Sequence, residues 1–335
     1  MVEFKKNVAL AIDGGGIRGT MVAKALAVVE KEMGDKTWHG TVGLTAGTST
    51  GSIISAGIAA GMRAEDIHDM YVELGPKIFK KSWRTWCIFK YLVSYRYSNK
   101  PLIDILQSEL PNKKMGDFWN DDEIDVVITV RDLSENRTRF VKSWKEDGGY
   151  KNWKAWFAVL CSSTVPTYFP VVCKSTVPTY FPPGLEGEFV DGGVGAYANP
   201  CYIAAYEAAF CLEWDLAETT LISIGTGRDP HVLKKGGARR FVSFQWIKPM
   251  LDTFLHDASD QQVRLVKRFF PDLDFRRFQI DLKEPIPMDD PKSIPKLTKL
   301  GEELGRMIID GEVDDKVFEP KAGVAKQPRK GTGKF

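Results

Sequence analysis

Short continuous apolar runs alternate with longer stretches of helical periodicity along most of the 335-residue chain. Apolar runs that end at glycine are typical of strands buried on both faces of a sheet. The pattern predicts strands at 8–12, 41–46, 124–130, 138–141, 189–190 and 220–224. It predicts helices at 17–33, 52–61, 63–80, 153–160, 200–214, 241–270 and 293–309. Because strands alternate with helices, we expect a three-layer α/β/α fold with a mostly parallel central sheet.

The charge distribution divides the chain into a domain and a tail. The net charge of +2 does not favour nucleic-acid binding, and no change of composition divides residues 1–319. Residues 320–335 carry five cations and no acid, and they are rich in Gly and Pro. We therefore expect one domain over 1–319 and a disordered basic tail over 320–335. The tail is either a solvated terminus or a segment attracted weakly to an anionic surface.

Cysteine usage and hydropathy indicate the compartment. The five cysteines are an odd number with no CxxC pair, which argues against a disulfide framework and a zinc cluster. The N-terminus lacks the apolar region of a signal peptide, and no uncharged apolar run reaches the roughly 18 residues that span a bilayer. We expect a protein of the reducing cytoplasm.

The stretch DGGGIRG, residues 13–19, has two interpretations. Gly14, Gly16 and Gly19 satisfy GxGxxG between a strand and a helix, as in dinucleotide-binding proteins. A ribose-binding acid is expected about 20 residues later on a second strand. Glu30, Glu32 and Asp35 lie near that distance, but Glu30 and Glu32 fall within or at the end of the predicted helix, not on a strand. Three consecutive glycines at a helix start also direct several N–H groups to one point, which suits an oxyanion as well as a phosphate. On its own the stretch leaves both alternatives open.

The stretch GTSTG, residues 47–51, places Ser49 between two glycines. It follows a predicted buried strand and precedes a helix of small residues, which is the context of a nucleophile elbow. The alternative is a plain glycine-rich turn. Ser49 needs a base, but none of the four histidines has a suitable sequence context. Those histidines are His39, His68, His231 and His256.

Asp191 is the other candidate for the base. The sequence EFVDGG places it at the end of a short apolar strand, followed by two glycines that free the backbone to direct the carboxylate into a crevice. The alternative is an ordinary Asx turn.

Together these stretches resemble the patatin-like phospholipase family. The resemblance extends from about residue 8 to beyond residue 227 and rests on DGGGIRG, GTSTG, STVPTYFPP and DGG in matching order and rough spacing. It implies a patatin-like fold and a Ser–Asp dyad without histidine, with Ser49 as nucleophile and Asp191 as base. It also implies an oxyanion hole formed by the N–H groups of Gly14, Gly15 and Gly16, and places Arg18 at the position of the family's basic residue in that loop.

The same resemblance implies an acyl-lipid substrate and an ester hydrolase reaction that needs no metal and no cofactor. It also implies peripheral contact with a membrane or lipid aggregate. The chain departs from the family at 198–200, which reads Ala-Asn-Pro where NNP is frequent, and in having two PTYFP blocks.

The second block belongs to a tandem repeat. VLCSSTVPTYFP at 159–170 is followed at once by VVCKSTVPTYFP at 171–182, with ten of twelve positions identical. In the family, a single such block fills the connection between a helix and the Asp191 strand. Only one of the two copies can occupy that connection, so we expect the extra residues to form a surface excursion near the active-site mouth. We further expect Cys161 and Cys173 to have unlike environments, and deletion of 171–182 to leave a folded, active enzyme.

Aromatic and cationic side chains are mixed over residues 80–97. This composition favours either a membrane interface or lid over a lipid site, or a helix pair that packs on the core. The aromatic residues are Trp83, Trp86, Phe89, Tyr91, Tyr95 and Tyr97, and the cations are Lys80, Lys81, Arg84, Lys90 and Arg96.

Overall fold

The computed structural model describes residues 3–80, 95–230 and 247–316, except for the side chains of 147–148 and 247–257. The described strands are β1 (Asn7–Ile12), β2 (Leu44–Gly47), β3 (Asp125–Asp132), β4 (Arg137–Lys142), β5 (Phe189–Asp191), β6 (Thr219–Ile224) and β7 (Asp274–Phe278). The described helices are α1 (Gly19–Glu32), α2 (Thr50–Ala59), α3 (Ala64–Ile78), α4 (Lys100–Glu109), α5 (Met115–Asn120), α6 (Ala155–Ser163), α7 (Cys201–Tyr206), α8 (Ile247–Phe269) and α9 (Ile294–Asp310).

The strands form one mostly parallel sheet in the order β4-β3-β2-β1-β6-β7, with β5 paired to β3. Neighbours from β3 through β7 in this order are parallel, and β4 and β5 run antiparallel to β3. Parallel neighbours require crossover connections, which the helices between the strands supply.

Helices cover both faces of the sheet. Leu10 and Ile12 of β1 pack on one face with α1 to α6 and α9, whereas Ala9 and Ala11 face α7 and α8. The alternation follows from the two-residue period of a strand. The expected three-layer α/β/α architecture is confirmed.

Two strands meet end to end beside β3. β2 pairs with β3 up to Gly47 opposite Ile128, and β5 descends along the same side of β3 to Asp191 opposite Val130. The turn that follows β2 and the last residue of β5 therefore lie at the same gap in the sheet beside β3. This topology brings the turn at Ser49 next to Asp191.

The structure adds elements that the apolar pattern missed. α4, α5 and β7 were not predicted, and the predicted helix at 200–214 is an α-helix only to Tyr206 and continues as a π-helix over Glu207–Cys211. β7 reads DFRRF and lacks an apolar run, because its Arg277 is buried through an ion pair rather than by hydrophobicity. The predicted tail at 320–335 lies outside the described residues. Within the described ranges, every helix is too short or too polar to span a bilayer.

Candidate active site

Ser49 lies on the tight turn between β2 and α2, with φ 55° and ψ −125°. A positive φ is uncommon for residues other than glycine, so this backbone is strained at a serine. The flanking glycines make the turn sterically possible. A Cβ on Gly47 would lie 2.3 Å from the Gly51 oxygen, and a Cβ on Gly51 would lie 2.1 Å from the Ile12 oxygen. The turn therefore has the geometry of a nucleophile elbow.

The C-terminal end of α6 supports the elbow. The Ser49 N–H donates to Ser162 Oγ at 2.9 Å, and Ser163 Oγ donates to the Ser49 carbonyl at 3.3 Å. Sequence reasoning missed both serines. The available signal was their place inside the first repeat copy, where Ser163 begins the sequence STVPTYFP.

Asp191 is buried, with 3% of its surface exposed. Its Oδ1 accepts a hydrogen bond from the Gly193 N–H at 2.8 Å, and Gly192 must be glycine because a Cβ there would lie 2.3 Å from Thr129 Oγ1. Burial raises the pKa of Asp191 to about 6, although the Ser49 hydroxyl and the Gly193 N–H stabilise the charged form.

The second carboxylate oxygen of Asp191 is available to Ser49. Oδ2 is buried and accepts no hydrogen bond of ordinary geometry from a described residue. The Ser49 hydroxyl is nevertheless close enough to lower the carboxyl pKa. Contacts between a nucleophile and its base are often loose before substrate binds. The arrangement leaves one free carboxylate oxygen beside the serine.

The glycine turn after β1 lies next to Ser49. A Cβ on Gly14 would be 3.2 Å from Ser49 Cβ. The Gly14 N–H donates to the Ala198 carbonyl at 2.9 Å and is therefore occupied. The N–H groups of Gly15 and Gly16 donate to no other described residue. Of the three amides predicted for the oxyanion hole, these two are the ones available in this structure.

Gly16 requires glycine for two reasons. Its φ is 58°, and a Cβ there would lie 2.3 Å from the Met288 carbonyl oxygen. The Met288 carbonyl therefore packs directly against the turn at Gly16.

Arg18 lines the same cavity as Ser49, and its guanidinium is bound by later parts of the chain. Its guanidinium forms a 2.6 Å ion pair with Asp229 and donates hydrogen bonds to the Ile286 and Gly227 carbonyls. Through these contacts the Arg18 side chain connects the glycine turn to two loops that come later in the chain. The prediction that groups Arg18 with the oxyanion donors stays a prediction, and the contacts of its guanidinium hold the glycine turn in place.

An apolar cavity lies beside Ser49. Its polar end is formed by Ser49, Asp191 and the glycine turn, and its walls come from α3, α4 and the first repeat copy. The apolar wall residues include Ile53, Met70, Leu74, Ile78, Phe79, Leu102, Ile105, Leu106, Val165 and Phe169. A nucleophile beside an apolar cavity suits an ester with a hydrocarbon chain.

Part of the aromatic and cationic stretch supports this cavity wall. Tyr97 is buried against Phe79 and Phe169, with ring centroids 5.4 and 5.7 Å apart. Its hydroxyl donates to Asp289 at 2.9 Å. At this end the stretch packs on the core. Residues 81–94, on which the membrane or lid interpretation mainly rests, lie outside the described residues.

The described histidines do not contact the dyad candidates. His39 Nδ1 lies 3.2 Å from the Ile58 carbonyl, and His68 lies between Asp69 and Thr298. Neither lines the cavity. His231 and the side chain of His256 lie outside the described residues.

Contacts of the GxGxxG stretch do not favour a dinucleotide. A Cβ on Gly19 would lie 2.1 Å from Thr50 Oγ1, so this glycine allows α1 to pack on α2. Glu30 is buried and accepts hydrogen bonds from the N–H groups of Trp38 and Ala64, both at 3.0 Å. The glycine and the acid therefore have structural roles.

The expected surface excursion is found only in part: six of the twelve residues of the second repeat copy are exposed, but four are buried and pack on the core. Val172 and Phe189 exchange two 2.9 Å backbone hydrogen bonds, which continue the sheet beyond β5. Val177 and Phe181 are buried, and the Phe181 ring lies 5.6 Å from that of Phe157. The copy uses apolar side chains that an extruded loop would leave in water.

The expectation for the two cysteines is confirmed. Cys161 is fully buried inside α6, where burial raises its thiol pKa well above the usual value. Cys173 lies in a turn with its sulfur 3.0 Å from Ser175 Oγ. Nearly identical sequence blocks thus have different surroundings because only the first copy continues a helix.

Sequence comparisons show several relatives of known family. The chain is 28% identical over 254 residues to a cGAMP-activated phospholipase of Escherichia coli, which covers 70% of this chain and 67% of that protein. It is 29% identical over 294 residues to Patatin-like protein 2 of Oryza sativa, which covers 77% and 71%. It is 28% identical to Patatin-17 of Solanum cardiophyllum, over 72% of this chain and 66% of that protein. The family model described as patatin-like phospholipase matches residues 10–205, more than half of the chain, and the protein therefore belongs to the patatin-like phospholipase family.

Proposed function

We propose that this protein hydrolyses carboxylic ester bonds of acyl lipids through a Ser49–Asp191 dyad. The observation that carries the proposal is the buried Asp191 carboxylate beside the strained Ser49 turn. Its pKa, raised to about 6, makes it a stronger base than an exposed carboxylate and keeps it mostly ionised near pH 7.

Each step has a residue to perform it. Ser49 Oγ attacks the ester carbonyl carbon while Asp191 Oδ2 accepts the hydroxyl proton. The carbonyl oxygen gains negative charge, which the N–H groups of Gly15 and Gly16 stabilise. When the tetrahedral intermediate collapses, the C–O bond to the alcohol breaks and the alcohol takes the proton from Asp191. Water then attacks the acyl-enzyme carbonyl carbon while Asp191 accepts its proton. When this second tetrahedral intermediate collapses, the C–O bond to Ser49 breaks, the carboxylic acid is released and Ser49 Oγ takes the proton from Asp191.

The shape of the cavity supports a lipid as the substrate. The walls from α3 and α4 offer aliphatic and aromatic side chains to an acyl chain. Val194, two residues after the Gly192 turn, lines the cavity and is 37% exposed. We propose that this mouth contacts the membrane or lipid aggregate that supplies the substrate.

A fluorophosphonate probe and a p-nitrophenyl ester test the nucleophile. We expect the probe to label the wild-type protein, and Ser49→Ala to lose labelling and at least about 10⁴-fold in kcat, because no other hydroxyl has the same position. Ser55→Ala is the matched control, since Ser55 is also buried on α2 but lies outside the cavity. Labelling and turnover that persist in Ser49→Ala would contradict the assignment.

A further inference from the structure

Asp13, immediately before the glycine turn, forms a buried ion pair with Arg277 of β7. Two parallel contacts join them, from Arg277 Nη1 to Asp13 Oδ1 at 2.8 Å and from Nη2 to Oδ2 at 2.6 Å. Both side chains are less than a tenth exposed. The reaction steps above use neither residue.

Sheet register explains how Arg277 reaches Asp13 across an intervening strand. Ala11, Ser223 and Arg277 are aligned side by side on β1, β6 and β7. Because Ala11 and Ser223 have small side chains, the arginine extends over β6 and donates to Ser223 Oγ at 2.8 Å. Asp13 lies two residues beyond Ala11 and so faces the same side of the sheet.

The rest of the turn is fixed by neighbouring backbone contacts. The Gly14 carbonyl accepts from Thr226 Oγ1 at 2.7 Å, and the Ile17 N–H donates to the Met288 carbonyl at 2.8 Å. These contacts hold the two sides of the Gly15–Gly16 segment, while the Asp13 side chain fixes where the segment begins. Thr226, Arg277 and Met288 all lie beyond residue 205, where the match to the family ends.

A buried ion pair of this geometry specifies orientation more than stability. The cost of removing both charges from water offsets much of their attraction, whereas a bidentate guanidinium–carboxylate pair permits one relative orientation. Amides that stabilise an oxyanion must be placed correctly before the reaction, and an error of about 1 Å costs on the order of 100-fold in rate.

We propose that Arg277 is a positioning residue that acts through Asp13 to direct the Gly15 and Gly16 N–H groups at the oxyanion. It does not contact the substrate. The inference rests on the proposed ester hydrolase function. It assigns a catalytic contribution to β7, a strand outside the region that matches the family.

The test removes both charges together, so that neither is left buried alone. We expect the Asp13→Asn/Arg277→Met double variant to lose about 100-fold in kcat with KM within about threefold, because the oxyanion contacts form only in the transition state. Its rate of labelling by the fluorophosphonate should fall in parallel, since the tetrahedral phosphonate also needs the oxyanion hole. The melting temperature is measured alongside.

A second buried pair provides the control. Lys142 and Glu207 lie 2.5 Å apart near the other end of β3 and do not line the cavity. We expect Lys142→Met/Glu207→Gln to change stability but to leave kcat and labelling unchanged. A similar loss of kcat in this control would show a general effect of removing buried charges and overturn the proposal.

Arg277→Lys covers the case in which the double variant does not fold. It retains the charge and loses the planar fork, so we expect about a tenfold lower kcat with an unchanged KM. A folded variant of either kind with wild-type kcat, or with only KM raised, overturns the role of Arg277. Failure of the wild-type protein to react with the probe would instead overturn the proposed function.

Discussion

At the scale of single residues, the local environment of Asp191 decides whether a carboxylate replaces the histidine of a conventional triad. An exposed aspartate has a pKa of ~3.9 and is a weak base. Burial raises the pKa of Asp191 to about 6, and the Ser49 hydroxyl and the Gly193 N–H offset part of this effect. Burial thus gives Asp191 much of the basicity of a histidine.

This environment predicts a pH dependence for hydrolysis. Because the base must be ionised, kcat/KM for a soluble ester should rise with pH through about 6 and then become constant. The measurement is a pH profile from 4.5 to 8.5 with the wild-type protein. Asp191→Asn should lose about 10³-fold in kcat/KM together with this dependence, since an amide cannot accept the proton. A wild-type profile that stays flat between pH 5 and 7 would be evidence against Asp191 as the base.

At the scale of elements, the second repeat copy shows how a duplicated segment is accommodated. Both copies form the same local turn, in which Val165 or Val177 accepts hydrogen bonds from the residues three and four positions later. The first copy lines the cavity with Phe169, whereas the second packs Phe181 on α6 and β5. The duplication has therefore added to the core beside the site.

Deletion of 171–182 should consequently destabilise the protein, contrary to the expectation from sequence. Phe181→Ala provides a quantitative test, with an expected loss of about 3 kcal/mol in the free energy of unfolding because a buried ring is replaced by a cavity. Tyr180→Ala is the control in the same copy. Tyr180 is 39% exposed and contacts Trp156 edge to face, so its loss should stay below about 1.5 kcal/mol. Equal, small effects in urea unfolding would restore the surface-loop interpretation.

At the scale of the whole molecule, a buried charge cluster lies at the start of β3, away from the active site. Asp125 and Glu207 are both fully buried near one cation, Lys142. Burial, followed by the Glu207 charge, raises the pKa of Asp125 to about 8. Its Oδ1 accepts from Ser143 Oγ at 2.6 Å. Two carboxyls with one cation favour a bound proton.

This proton links global stability to pH. The pKa of Asp125 in the folded protein exceeds its unfolded value of ~3.9. The contribution of the protonated carboxyl to the free energy of unfolding is therefore fully present below pH 4 and is lost as pH rises to about 8. Asp125→Asn imitates the protonated form, so the variant should lose less stability than the wild-type protein between pH 5 and pH 9. Urea unfolding at several pH values measures this difference.

Asp104→Asn supplies the control for the stability measurement. Asp104 is 54% exposed in a surface pair with Lys100, and its replacement makes the same change in charge without altering a buried group. We expect the pH dependence of this variant to follow the wild-type protein. If the stability of Asp125→Asn fell with pH as steeply as that of the wild-type protein, the buried carboxyl would not be the group that holds the proton.

The sequence by itself determined the alternating architecture and the elbow. Both are local properties: strand and helix periods are set by neighbouring residues, and the steric conflict that makes Gly47 and Gly51 necessary arises within one strand–turn–helix unit and the adjacent strand. The motifs also placed Ser49 and Asp191 as partners through the family resemblance. The head-to-head meeting of β2 and β5 gives the physical reason for their proximity.

Only the tertiary structure decided which groups in the glycine turn are free. The Gly14 amide is occupied by Ala198, and Arg18 is held by a loop more than 200 residues later in the chain. The tertiary structure also explains β7. Its sequence has two central arginines and does not predict a strand of the sheet, but Asp13 neutralises the buried Arg277. Hydrogen-bond partners and counter-ions that are distant in sequence leave no periodic signal, because their pairing depends on strand order and register.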